Sequence, residues 1–360
     1  METLDRRILT LAAAERQWLA HRRERSALDA IGHLVGMQAQ EPLEPYVGLW
    51  SRLQDFRPDE LVDLLQERAV VRTLLMRRTL HLVSRGDCLE LRPVHDDMLV
   101  ARMRGTLGRA LPGVDFAELA EAGEPLFAGT PQTLTEVARA AGGAWPEAST
   151  RTLGDALSTL VRLVQVPPRG LWGQQAPARN TTIRAWLGVE PAARPDTLDR
   201  LVRRYLRAYG PATSSDLRAW SGLSGLPSVL KRLRPDLAEF RDERGRVLLD
   251  VPEGPRPGRE TALPPRFLPA FDNAVLGYDD RSRIIDDEHR GLSVAGARFL
   301  LVDGRVAGVW ASAGTADAGI EITVRRLREL AGEEEDEVAI EATRLAGFLG
   351  DGAAGRVRFE

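Results

Sequence analysis

The chain has 360 residues, 43% of them hydrophobic and 28% charged, with a formal net charge of -3, an ordinary globular balance in a length that allows two or three cores. No apolar run approaches the roughly 18 residues of a membrane span, and the single cysteine, Cys88, excludes an intramolecular disulfide and a cysteine-based zinc finger. The N-terminus lacks the order of a signal peptide, so a cytoplasmic protein with no metal and no other cofactor is expected.

The charge is unevenly spread. Residues 151–246 hold 17 Lys+Arg against 9 Asp+Glu, whereas 247–360 hold 14 against 21. One basic segment inside an acidic chain suits a one-sided footprint on phosphate. Lys231 is the only lysine, so the positive charge is almost all arginine, which is a matter of composition.

Apolar residues recur at helical spacing from Leu4, Ile8 and Leu11 to Trp18 and Leu19, and again from Ala27 to Val35, which predicts helices near 3–19 and 26–36. The period stops at Gly36, and Pro42 biases Glu41 toward extended backbone. Gln38 and Gln40 lie between. Two apart on an extended segment, they share a face and project together into a groove; in a helix-ending turn they are two ordinary polar residues. A helix near 58–67 follows, then β-like runs at 69–75 and 79–83 joined by a Met76-Arg77-Arg78 turn.

Two later stretches repeat one plan. A short helix over 133–141 ends at Gly142-Gly143, and a second over about 149–163 leads into a strand at 163–166 and a turn at 167–170. Further on, Thr213 or Ser214 caps a helix through Trp220. Gly222 to Gly225 breaks it, Pro227 opens another through Arg234, and a hairpin follows over 239–242 and 246–251. Helix, turn, helix and hairpin describe a winged helix. The expected architecture is therefore α+β: winged-helix units at 1–110, 111–190 and 191–252, then a β-rich, barrel-like domain at 253–360 closed by a helix over 336–349. Residues 252–265 read as a Pro/Gly-rich linker, and Asp303-Gly304 between two apolar runs is a hairpin signal.

The chain shows no P-loop, nucleophile elbow, HExxH or dinucleotide fingerprint. The Glu333–Glu337 run has no metal-ligand spacing and reads as a solvated helix start.

Five blocks carry a resemblance: Val35-Gly36-Met37-Gln38-Ala39-Gln40-Glu41-Pro42, the stretch from Val71 to Val83, Val164 to Gly173, Arg204 to Thr213, and Arg266 to Asn273. In this order, across nearly the whole chain, they resemble the AlkZ-like DNA glycosylases, whose signature is Gln-apolar-Gln; the related YcaQ branch carries Gln-apolar-Asp. The resemblance implies a monofunctional glycosylase that hydrolyses the N-glycosidic bond of bulky N7-alkylated purines, interstrand crosslinks included. It implies double-stranded DNA as partner and a monomer associated with the nucleoid.

N7-alkylation leaves the base positively charged and its glycosidic bond weak, so a positioned water matters more than a strong acid. A neutral amide holds a water through its carbonyl. Gln40 is the candidate to position that water, while Gln38 orients Gln40 or contacts the backbone near the lesion. Met76, Arg77 and Arg78 form a wedge or phosphate clamp, or else a plain basic turn; Arg78 stands where the family more often has glycine. His81 is either a satisfied buried histidine or, by the resemblance, a residue lining the site. Trp172, with Gln174 beside it, stacks on a base or packs in a core. Arg232 and Arg234 contact phosphate or are solvated. Asp272-Asn273 and Arg281-Ser282-Arg283 match the family pattern as structural or phosphate-contacting groups, with Tyr278 in place of a more frequent histidine. The competing functions are a non-enzymatic DNA-binding regulator and a protein-interaction scaffold, both of which keep the winged helices and discard the glutamines.

Overall fold

The computed structural model describes residues 1–315 and 317–360. Three segments share one order of helix, short strand, two helices and a hairpin. In the first, helices Ala27–His33, Glu44–Trp50 and Pro58–Gln66 surround the strand Met37–Gln38 and lead to the hairpin Val70–Leu74 and Leu80–Ser84. In the second, helix Phe116–Gly129, strand Gln132–Thr133, helices Leu134–Ala141 and Thr150–Leu160 and hairpin strands Leu163–Val166 and Arg179–Thr182 repeat it. In the third, helices Thr197–Tyr209, Ser214–Ser221 and Leu226–Leu233 precede strands Ala238–Asp242 and Val247–Asp250, and Ala212 bridges to Leu249 in place of the short strand.

Local chemistry explains where the helix pairs begin. Thr133 with Glu136, and Thr213 with Asp216, form capping boxes that satisfy the first free N–H groups. Gly222, at φ +78, ends the helix Ser214–Ser221 in the left-handed conformation that glycine adopts cheaply.

The first two segments are not separate bodies. Their strands form one six-stranded antiparallel sheet in which Arg72 pairs with Gln165 and Thr73 with Val164. The N-terminus also departs from expectation: Thr3–Leu4 is a strand added in parallel to Ala238–Asp242, and the helix runs only over Arg6–Arg16. A 23-residue helix, Arg85–Leu107, has no counterpart among the expected elements, and its face between the segments buries Cys88, Leu91, His95 and Leu99.

The C-terminal part is an open sheet, not a barrel. Arg266–Phe267, Arg298–Val302, Arg305–Thr315 and Gly319–Arg326 run antiparallel, and helix Gly332–Leu349 crosses one face so that Gly355–Phe359 returns parallel to Gly319–Arg326. Val338, Ala342 and Leu345 of that helix are buried against Phe267, Ile322 and Val324; a single covered face needs no closure of the strands. The expected turn at Asp303-Gly304 is present, with both residues at positive φ.

Buried ion pairs join regions distant in sequence. Arg16 grips Asp250 at 2.6 and 2.8 Å, and Arg52 grips Asp272 at 2.9 and 2.7 Å. Such pairs contribute little net stability but make mis-assembly costly, since a lone buried charge is penalised. Asp250→Ala, which strands Arg16, should lower unfolding stability in urea by about 3–5 kcal/mol. Replacing Arg16 and Asp250 together by Met and Leu should lose clearly less.

Candidate active site

The strand carrying Gln38 begins where Gly36 turns the chain out of its helix. At φ +97 a side chain there is strained, and a Cβ would lie 2.6 Å from Val83 Cγ1. Met37 then pairs with Leu82, Gln38 with His81, and the Ala39 N–H donates to the Leu80 carbonyl at 2.8 Å. Gln38 and His81, being directly opposed, share one sheet face, and Thr73, opposite His81 on the next strand, continues it.

Gln38 is 8% exposed, and its Oε1 accepts from Arg77 Nη2 at 2.9 Å. The same Nη2 reaches Asn273 Oδ1 at 3.0 Å, and Nη1 donates to the Trp220 carbonyl at 2.7 Å. One guanidinium thus ties the glutamine strand to the third segment and to the C-terminal part. Burial and the nearby Arg281 and Arg102 push its pKa down to about 10, so it stays charged at neutral pH. With Oε1 committed and no protein acceptor on its Nε2 among the described residues, Gln38 offers its NH2 as a donor.

Gln40 is exposed, and its Oε1 makes only a long 3.5 Å contact with the Leu80 N–H. Both ends of its amide are open to a ligand. Among the described residues no hydrogen bond joins Gln38 to Gln40, so the two amides act separately. On the other sheet face, buried Arg72 donates to the Ala39 carbonyl at 2.8 Å and to Gln165, fixing the backbone between the glutamines.

His81 is fully buried. Its Nδ1 donates to the Thr79 carbonyl at 2.9 Å, and its Nε2 has no partner. Burial, then the Arg77 charge, lowers its pKa to about 3. His95, packed nearby, donates through Nδ1 to the Leu91 carbonyl at 2.7 Å and is lowered to about 4 by burial. Both are neutral at physiological pH, and His81 lines the back of the site without reaching its surface. The crevice behind Gln38, between Leu34, Tyr209, Pro269 and Asn273, has about 10 Å³ of free volume, close to one water. A flipped purine does not fit there.

A model of the AlkZ-like DNA glycosylases matches residues 31–348. The chain belongs to this family of DNA glycosylases. Among solved structures, the Streptomyces sahachiroi DNA glycosylase AlkZ superposes with a TM-score of 0.79 over 99% of this chain and 100% of that one, at 22% identity, a likeness of fold. No curated protein sequence matches. No helix among the described residues is long and apolar enough to cross a membrane.

The hairpin tip differs from the exposed basic turn expected from the sequence. Met76 is fully buried, so it is no surface wedge, and Arg77 points inward instead of clamping phosphate. The reason is local: Arg77 and Arg78 both adopt left-handed backbone, at φ +58 and +62, which turns the tip back on the protein. Arg78 is held by Thr159 at 3.1 Å and Thr106 at 3.2 Å. Trp172 is half-buried, packed against Tyr46 and Phe348 with ring centroids 5.0 and 5.3 Å away, and its Nε1 donates to Asp351 at 3.3 Å. Gln174 is exposed beside a groove shared with Glu41 and Leu43.

Arg232 and Arg234 are exposed but already paired, with Asp199 and Glu239. On the same helix pairs Arg151, Arg218 and Lys231 are exposed and make no ion pair among the described residues; sequence reading passed over them because pairing is invisible in a charge count. Tyr278 is structural, its hydroxyl donating to the Tyr209 carbonyl at 3.0 Å. Arg281 and Arg283 reach Ser293 and the Pro211 carbonyl.

The two histidines make a testable demand. Both fold with pKa values below the ordinary 6.5, so the unfolded chain binds more protons as pH falls below that value. Their stabilising contribution is whole above pH 6.5 and is lost toward pH 4, at up to about 1.4 kcal/mol per pH unit for each histidine. Imidazole NMR signals of His81 and His95 should show no titration between pH 5 and 8. Titration of either near pH 6.5 would contradict the burial described.

Proposed function

We propose that the chain hydrolyses the glycosidic bond of bulky N7-alkylated purines in duplex DNA, crosslinked ones included, as a monomer that wraps the duplex with three winged-helix segments. The observation that supports this reading most is the pair of unlike amides two residues apart, Gln38 on its strand and held by Arg77, and Gln40 just past the strand and open, with a crevice too small for a base behind Gln38.

In this mechanism Gln40 holds a water through its carbonyl, and the water oxygen bonds to C1′ as the C1′–N9 bond breaks. The electron pair goes to the base and cancels the positive charge that N7-alkylation placed there. The water's proton passes to solvent. An amide is no strong base, so the reaction depends on a leaving group that is already cationic, and neutral bases are poor substrates. Working without a deep pocket suits adducts too large to extrude from the helix.

The test is single-turnover release of N7-methylguanine and of a nitrogen-mustard adduct from a duplex, wild type beside Gln40→Ala. The wild type should release both, and Gln40→Ala should be at least tenfold slower while still binding DNA. Uracil should stay in place. Release of uracil, or equal rates for the two proteins, would contradict the mechanism.

A further inference from the structure

Buried arginines are numerous in this fold, and nearly all have a carboxylate. Arg16 has Asp250, Arg52 has Asp272, Arg92 has Asp96 and Arg266 has Glu341, while Arg283 lies 3.9 Å from Asp216. Buried Arg72 departs from the rule, and half-buried Arg77 has no carboxylate either. Arg72 bonds the Ala39 carbonyl and the Gln165 amide, and Arg77 bonds the Gln38 amide, the Trp220 carbonyl and Asn273. All five acceptors are neutral, and among the described residues neither arginine makes an ion pair.

Both grip the same strand, Arg77 through the side chain of Gln38 and Arg72, on the opposite sheet face, through the backbone of Ala39. Taking a cation out of water without a counter-charge is expensive. Two such charges converge on Gln38 and Ala39, and although Glu41 offsets part of the Arg72 charge without pairing with it, the strand keeps a local positive field.

We propose that the counter-charge is a DNA backbone phosphate next to the lesion, received by the Gln38 NH2, with Arg72 and Arg77 acting as positioning residues beneath it. The proposal rests on the glycosylase reading for the identity of the lesion but not for the binding of phosphate. An amide whose carbonyl already accepts from a guanidinium is polarised, which strengthens its N–H as a donor. Charge-assisted bonds of that kind favour an anion over water. The same phosphate then brings a negative charge to where the sugar becomes cation-like, offsetting the repulsion the two arginines would otherwise impose. The division of labour follows: Gln38 anchors the backbone, and Gln40 serves the water.

Two near-isosteric substitutions supply the missing carboxylate without touching either glutamine. Asn273→Asp gives Arg77 a partner where Asn273 Oδ1 now sits, and Gln165→Glu does so for Arg72. The probe is undamaged duplex of fixed length, with affinity measured across salt concentration and thermal unfolding followed in parallel. Each variant should keep or raise Tm yet bind at least fivefold more weakly at low salt, and the double variant should lose about one unit of log–log salt slope. Release of N7-methylguanine at subsaturating DNA should fall with the affinity.

Unchanged affinity and salt slope in both variants would overturn the proposal. So would a loss of affinity matched by a loss of Tm, since that marks a merely structural role. If the wild type binds DNA in this charge-dependent way but releases no base, the glycosylase reading fails and the phosphate site stands.

Discussion

The site depends on one guanidinium. Arg77 enters from a left-handed turn and fixes the Gln38 amide, and its other bonds go to the end of the Ser214–Ser221 helix and to Asn273 of the C-terminal part. Three regions far apart in sequence must therefore be assembled before Gln38 has a defined orientation. The buried pairs Arg16–Asp250 and Arg52–Asp272 serve that assembly: each penalises any arrangement that leaves its arginine alone. Geometry at the glutamines is thus a property of the whole chain, which suits the proposed hydrolysis, because positioning supplies most of what a site without a strong acid or base contributes.

The six-stranded sheet explains how the glutamine strand is kept still. Met37–Gln38 is only two residues long and lies at the sheet edge, where a short strand alone would fray. It is held by His81 and Leu82 across the ladder, by Arg72 from one face and by Arg77 from the other. Arg72 in turn reaches Gln165, so the second segment braces the first. Buried, neutral His81 opposite Gln38 adds rigidity without adding charge.

Much of the architecture was legible because its signals are local. The capped helix pairs, the hairpins after them and the Asp303-Gly304 turn all rest on residues within a few positions of one another, and the Gln-apolar-Gln signature marked the strand and the family together. What escaped was what depends on distant partners. The pairing of Arg72 with Gln165 spans 93 residues and leaves no periodic trace. The long helix Arg85–Leu107 buries Asp87, Arg92 and His95 along with its apolar residues, which blurs the stripe that reveals a helix. Met76 and Arg77 were expected at the surface because a hairpin tip is usually exposed; two consecutive left-handed residues turn it inward. The expected barrel proved an open sheet, since one helix covers the face that closure would otherwise have to bury.

The most direct measurement is a crystal structure of the protein bound to a duplex holding an abasic product at the lesion site. The Gln40 amide should lie within reach of C1′ and the Gln38 NH2 on a flanking phosphate, with Arg77 still bonded to Gln38, the Trp220 carbonyl and Asn273. Arg77 swung out onto the DNA, with Gln38 and Gln40 remote from the sugar, would contradict these roles.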